Sequence, residues 1–232
     1  MIKKKTETAK LTIVIPTLNA GADLASTLDA LSPGTPFFRV LVVDGGSADD
    51  TGDIASSSGA MVIEAPTGRG SQLMAGANAA ATDWLLFLHA DTRLEAGWLE
   101  VAEAFIGHPA NAEKAGYFRF GLDGPRTWYK DWIERGVAAR CKAIGLPFGD
   151  QGLLIRDDFY RSVGGYRPFP LFEDVDLVRA IGKNRLSLLP VVAETSAVRY
   201  ERDGYISRIA RNLCLQALYR LGTPPEKLAR FR

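Results

Sequence analysis

The chain has 232 residues, 47% of them hydrophobic and 24% charged, with a formal net charge of +1. That is enough for one α/β domain with a sizeable core, and it excludes a general nucleic-acid binder, whose footprint is a strong basic excess. Two cysteines, Cys141 and Cys214, are too few for a disulfide framework and lack metal-ligand spacing, so both read as reduced, packed thiols. Residues 1–10 read as a flexible polar tail rather than a secretory signal. No apolar run reaches bilayer length, and a cytoplasmic location is expected.

Short β-rich runs then alternate with helical patterns. Leu11–Pro16 is a continuous apolar strand of the kind covered on both faces. Leu24, Leu28 and Leu31 give Ala22–Leu31 a helical stripe. Phe37–Val43 is a second strand, and Ser47-Ala-Asp-Asp50 resembles a capping box opening a helix that ends near Gly59. Strand Ala60–Glu64, helix Ser71–Ala81, strand Trp84–His89 and helix Gly97–Ile106 follow. This alternation predicts right-handed crossovers and a mostly parallel, doubly wound α/β sheet, with ligands bound beyond the strands' carboxyl ends.

The second half is less regular. Strands are expected at Ala115–Phe120, Gly152–Ile155 and Leu186–Ala193, the last interrupted at Pro190. Arg126–Ile144 reads as a helix carrying Tyr129, Trp132, Ile133, Val137, Cys141 and Ile144 along its packed side. The last helix, Ile206–Leu221, places Ile206, Ile209, Leu213, Ala217 and Leu221 on one face. From Arg199 to Arg232 there are eight Arg/Lys against three Asp/Glu, a local basic excess. With no repeat and no low-complexity linker, residues 11–232 read as a single domain.

Three of the first four strands end in chemically pointed residues: Pro16-Thr17-Leu18-Asn19, Asp44-Gly45-Gly46-Ser47 and His89-Ala90-Asp91-Thr92. A carboxylate beside glycines suits recognition of a nucleobase N–H. Asp91 is a hard oxygen ligand suited to Mg²⁺ or Mn²⁺ carrying a diphosphate. Taken singly, each has a bland alternative: Asp44 makes an Asx-turn and Asp91 caps the next helix. Neither the P-loop nor the G-x-G-x-x-G fingerprint is present.

The ordered set Ile15–Asn19 (IPTLN), Val42–Thr51 (VVDGGSADDT), Gly68–Gly70 (GRG), Leu88–Thr92 (LHADT) and Phe172–Leu177 (FEDVDL) resembles glycosyltransferase family 2, with the GT-A fold, over about Leu11 to Leu177. LHADT together with Gly149–Gly152 (GDQG) is also similar to a bacterial subgroup associated with arsenosugar biosynthesis. The resemblance implies a nucleotide-sugar-binding half (11–114), an acceptor and catalytic half (115–198) and a basic C-terminal helical segment (199–232). It implies that Pro16, Thr17, Asn19, Asp44 and Gly46 wall the nucleoside, with Arg69 on the base or diphosphate. Asp91 matches the last acid of the family's D-x-D metal motif, whose first acid is replaced here by His89. His89 is either a hydrogen-bonding member of the site or a satisfied strand-end histidine.

An inverting transfer needs a general base for the acceptor hydroxyl and neutralisation of the departing nucleoside diphosphate. The resemblance places the base at Asp174 of Glu173-Asp174. Crowding of Glu173, Asp174 and Asp176 raises at least one pKa, although acids also favour any helix start. Asp150 is the second candidate, and its neighbour Gln151 would bind acceptor hydroxyls. Trp132, with Trp128 and Tyr129, would stack on an acceptor or lie against lipid if exposed, but their helical spacing favours the core. Arg208, Arg211 and Arg220 make the last helix either a peripheral membrane contact or a solvated basic side.

The implied activity is transfer of a sugar from a nucleoside-diphosphate donor, UDP by default, to a lipid, saccharide or small-metabolite hydroxyl. A nucleotidyltransferase would want a cation-bearing segment after the first strand, which Thr17–Ala22 lacks. A non-catalytic nucleotide-sugar-binding protein is the other alternative, against which Asp91 and Glu173-Asp174 argue.

Overall fold

Side chains of a strand alternate between the faces of its sheet, and the first strand does so here with every residue but Pro16 buried. In β1 (Leu11–Thr17), Leu11, Ile13 and Ile15 enter one core layer and Val14 the other. The structure is a computed structural model describing residues 9–31, 36–198 and 204–231. Beyond β1 it places α1 (Gly21–Leu31), β2 (Phe38–Asp44), α2 (Thr51–Ser57), β3 (Met61–Glu64), α3 (Arg69–Ala79), β4 (Trp84–Phe87), β5 (Thr92–Leu94) and α4 (Trp98–Gly107). Then come β6 (Ala115–Leu122), α5 (Trp128–Ile144), β7 (Leu153–Arg156), α6 (Asp157–Ser162), α7 (Glu173–Ile181), β8 (Leu186–Thr195), α8 (Tyr205–Arg220) and α9 (Pro225–Leu228).

The eight strands form one sheet in the order β3-β2-β1-β4-β7-β6-β8-β5. The pairs β3–β2, β2–β1, β1–β4 and β6–β8 are parallel, while β7 runs against both β4 and β6, and β5 against β8. The expected mostly parallel α/β sheet is therefore present, with two reversals that the strand–helix alternation did not announce. The topology changes at β4–β7, so the carboxyl ends of β1, β2 and β4 open beside a strand of opposite direction. That is where a crevice forms in such sheets.

Leu24, Leu28 and Leu31 of α1 and Trp98, Ala102 and Phe105 of α4 cover one face. Leu73 and Ala77 of α3, Phe159 and Tyr160 of α6, and Leu177 and Ile181 of α7 cover the other. Each fully buried leucine contributes on the order of 2 kcal/mol of transfer free energy. Gly76 lets α3 lie close: a Cβ there would stand 2.3 Å from Val14 Cγ1.

Several expectations are corrected. Lys10, assigned to the tail, already bonds at the start of β1 to the strands on both sides, its N–H donating to Phe37 O and its carbonyl accepting from Trp84 N; residues 1–8 lie outside the described residues. Ser47-Ala-Asp-Asp50 is no capping box, since the helix starts at Thr51 without a side-chain cap. Ser47 is drawn to Asp44 instead. Pro190 does not interrupt its strand. It sits where the β6–β8 register slips from Phe118↔Leu189 to Arg119↔Val192, a bulge inside a continuous β8.

The packed side of α5 is Ile133, Val137 and Cys141, whereas Trp132 is 71% and Ile144 49% exposed. In α8, Leu215 and Tyr219 turn inward, and Leu221, expected on the packed face, is 83% exposed. The side chains of Ile206, Arg208, Ile209, Leu213 and Arg220, and all of Arg199 and Arg202, lie outside the described residues. Cys141 is buried and Cys214 exposed, both as free thiols. No helix among the described residues is long and apolar enough to cross a membrane.

Candidate functional site

Two neighbouring strand ends close on one carboxylate. Asp44 Oδ2 accepts the N–H groups of Gly46 (3.0 Å) and Ser47 (2.7 Å), and Oδ1 accepts the hydroxyls of Thr17 (2.9 Å) and Ser47 (2.5 Å). Burial pushes this carboxyl up, but the hydrogen bonds from Ser47, Thr17 and Gly46 outweigh it and hold Asp44 below its ordinary pKa. The Asx-turn expected as the bland reading is thus real, and it fixes a charged oxygen pair at the mouth of β2. Asn19 completes the clasp. It adopts a left-handed backbone (φ 49°), takes the Ala48 N–H on its Oδ1 (2.8 Å) and donates its own N–H to Ser47 Oγ (2.8 Å). Such a backbone is enriched in asparagine.

Beneath the clasp, buried Gln72 donates from Nε2 to Thr17 O (2.6 Å) and Val43 O (2.8 Å). It adds a donor to two carbonyls at the paired ends of β1 and β2 and so braces the clasp from below. Sequence reasoning passed over Gln72 because a polar residue in mid-helix carries no motif. Gly46 has φ 91° and open space where a Cβ would be, so backbone and ligand can approach there.

Arg69 is the first residue of α3 rather than a loop residue. Its Nε pairs with Glu173 Oε1, and its Nη1 donates to His89 Nε2 at 3.3 Å. A guanidinium can only donate, so Nε2 is the acceptor in this contact. Desolvation works against the guanidinium's charge, but Glu173, Asp174 and Asp91 together raise its pKa. Gly70 seats the helix start: a Cβ there would meet Arg167 O at 2.3 Å.

The second half supplies the remaining acids. Asp174 Oδ2 accepts the Gly149 N–H (2.8 Å) and Oδ1 the Val175 N–H (2.7 Å), leaving a part-exposed carboxylate with a fixed orientation. Glu173 is 1% exposed and serves as the counter-charge of Arg69. Phe172 adopts a left-handed backbone (φ 65°) and stacks its ring on Tyr219 of α8 (4.9 Å between centroids, 27°). Gly149 is pressed against His89, where a Cβ would lie 2.6 Å from Nε2.

Asp150 is driven up to about 6, chiefly by burial; Arg140 pulls it back, and Asp174 and Asp91 push it further. Its Oδ1 is sealed from solvent and without a hydrogen-bond partner among the described residues. Gln151, expected to bind acceptor hydroxyls, is turned inward instead. It donates from Nε2 to Phe118 O (3.0 Å), and Oε1 accepts the Cys141 thiol (3.3 Å). A buried amide must spend its groups internally. Trp132, expected on the acceptor side, stands on the outer surface of α5.

The described residues contain no group of three or more metal-ligating side chains. Asp91 is a strand-end carboxylate of the right chemistry for a divalent ion, and His89, in place of a second acid, faces a cation. Mg²⁺ and Mn²⁺ need only one or two protein carboxylates when phosphate oxygens and water complete the shell. The residues therefore fit an ion that arrives with a nucleotide, and do not fit a preformed cage.

The sequence profile of glycosyl transferase family 2 matches residues 12–162, more than half of the chain, and the chain belongs to that family. Two relatives come from Mycobacterium tuberculosis (strain ATCC 25618 / H37Rv). An uncharacterised glycosyltransferase, Rv0539, is 40% identical over 88 residues, covering 38% of this chain and 39% of its own. The PGL/p-HBAD biosynthesis glycosyltransferase Rv2957 is 40% identical over 104 residues, covering 41% of each. The chain thus spans about two-fifths of the length of these curated relatives.

Among solved structures, the mannosyltransferase PcManGT from Pyrobaculum calidifontis, in complex with GDP-Man and Mn²⁺, superposes with a TM-score of 0.66 at 18% identity, over 97% of this chain and 69% of that one. TarS residues 1–349 from S. aureus with UDP-GlcNAc gives 0.60 at 18% identity, over 80% and 58%. At such identity the likeness shows the GT-A fold.

Proposed function

We propose that the protein is an inverting glycosyltransferase that moves a sugar from a nucleoside-diphosphate donor, UDP-linked by default, to an acceptor hydroxyl. The observation that carries this reading is the convergence of the Asp44 clasp, Arg69, Asp91 and Asp174 on one end of the sheet. Neighbours of the same fold whose names include GDP-Man or UDP-GlcNAc support a nucleotide-sugar donor. Family membership weighs against a nucleotidyltransferase.

The roles divide by position. Thr17, Asn19, Asp44 and Gly46, with Pro16 as a wall, hold the nucleoside, and the fixed Asp44 oxygens accept base or ribose donors. Arg69, oriented by Glu173, faces the diphosphate and balances its charge as the sugar leaves. A Mg²⁺ or Mn²⁺ ion held by Asp91 would supply further positive charge to that leaving group. Asp174 takes the proton of the acceptor hydroxyl: it is part-exposed and held in orientation by two backbone N–H groups. Glu173 is committed to Arg69, and Asp150, whose Oδ1 is sealed from solvent while its pKa is raised to about 6, stands second to Asp174.

The acceptor class remains the lipid, saccharide or small metabolite of the sequence reading. The arsenosugar subgroup is left out of the proposal, since the relatives above carry other names. A thermal-shift series with UDP, GDP, dTDP and CDP, each with and without Mn²⁺ or Mg²⁺, tests the donor site. A nucleotide at a hundred times its dissociation constant adds about 2.7 kcal/mol. Asp91→Ala is expected to erase the metal-dependent part of that gain, and a flat response to all four nucleotides would overturn the donor site.

A further inference from the structure

Helix α5 packs through Ile133, Val137 and Cys141. At 100° per residue, the opposite side carries Trp128, Trp132, Arg135, Ala139 and Lys142, and all five are exposed. Trp128 is 75% and Trp132 71% exposed, an unusual state for the two largest side chains of the helix. Indole at that degree of exposure marks a surface that is covered in use.

The charge on this face selects the occupant. Arg135 and Lys142 lie on it, whereas both acids of α5, Asp131 and Glu134, are paired with Arg126 at its edge. Exposed tryptophans in line with unopposed cations match the headgroup region of an anionic bilayer, where indole rings settle and basic side chains meet lipid phosphates. A protein partner or a second copy would need a complementary acidic, apolar surface, and becomes an outcome of the test below. We propose that the outer face of α5 docks this protein on an anionic lipid surface.

The placement has a mechanical corollary. Near the far end of α5, Arg140 donates to Leu146 O (2.9 Å) and its guanidinium lies 3.5 Å over the Phe148 ring. This ties the helix to the loop that carries Gly149 and Asp150. Trp132 is about 12 Å from Arg140 along the helix at 1.5 Å per residue. The docking surface is therefore rigidly linked to the loop bordering the acid cluster. Docking does not depend on the glycosyl-transfer reading, and its test needs no turnover.

Flotation of the full chain with vesicles of 7:3 phosphatidylcholine:phosphatidylglycerol, against pure phosphatidylcholine, is the experiment. The protein is expected to float with the anionic vesicles, and less so as salt rises. Trp84 and Trp98 are buried, so a blue shift of indole emission on vesicle addition reports on the exposed pair. Trp128→Ala/Trp132→Ala should cut the bound fraction at least about tenfold with an unchanged melting temperature. Arg135→Glu/Lys142→Glu, which leaves the aromatic pair intact, should cut it by a similar factor. Absence of flotation with anionic vesicles overturns the proposal. So does undiminished flotation of both folded variants, which would put the contact on another surface. A dimer in analytical ultracentrifugation that the tryptophan variant abolishes, without vesicle binding by the parent, would give the face to a second copy.

Discussion

The two halves of the sheet are built on different logics. In the β1–β4 half, the polar atoms at the strand ends are tied within one turn or across a single neighbouring strand pair: Asp44 to Gly46 and Ser47, and Asn19 to Ala48. In the second half, the acids are held by contacts between segments remote in sequence, Asp174 with Gly149, Glu173 with Arg69, and Phe172 with Tyr219. A clasp made locally tolerates change elsewhere. A cluster assembled from four segments fails when any one of them moves.

The sharpest way to separate the halves is Asp174→Asn. Loss of a positioned general base costs 10²–10⁴-fold in rate. We expect kcat to fall by at least about a hundredfold while the nucleotide-induced thermal shift persists. Turnover within threefold of the parent would remove Asp174 as proton acceptor and move that role to Asp150.

Glu173→Gln comes next in size. Removing the buried partner leaves the Arg69 guanidinium with only the more distant charges of Asp174 and Asp91, and breaking such pairs costs about 3–5 kcal/mol when burial is complete. With the Arg69 side chain 25% exposed, about 2 kcal/mol is expected in urea unfolding, together with weaker nucleotide binding. A stability loss with nucleotide affinity untouched would sever the link between the acid cluster and the donor side.

Asp150→Asn gives the smallest effect, and the sign is opposite. The folded pKa, about 6, lies above the ordinary value of 3.8, so the folded protein binds more protons between those pH values. Stability therefore falls as pH rises through that window, and above it the buried carboxylate is charged at a cost. The variant should be more stable than the parent by about 1–2 kcal/mol at pH 7.5 in chelator, with the gain vanishing below about pH 4. A pH-independent difference would mean that burial does not govern this group.

Local construction also explains what the sequence revealed. The fold class and the β1, β2 and β4 ends were legible because continuous apolar runs and short-range turn chemistry specify them. Asp44 and Asn19 act within a few residues of themselves or across one strand pair. The inward turn of Gln151 was not legible, because its partners Phe118 and Cys141 become neighbours only when β6 and α5 pack. Nor was the exposure of Trp132, since helical periodicity records a stripe without saying which stripe finds a partner. His89, an anomaly in sequence, became intelligible through Arg69 and Gly149, both more than a dozen residues away.

The backbone of Phe172 carries one last consequence. A bulky residue held at φ 65° costs on the order of 1–2 kcal/mol, and the stack on Tyr219 offsets it from across the molecule. The residue that precedes Glu173-Asp174 is thus braced from α8. On the proposed reading of Asp174 as base, Tyr219 is a handle on turnover that works through the backbone of Phe172 rather than through the acid itself.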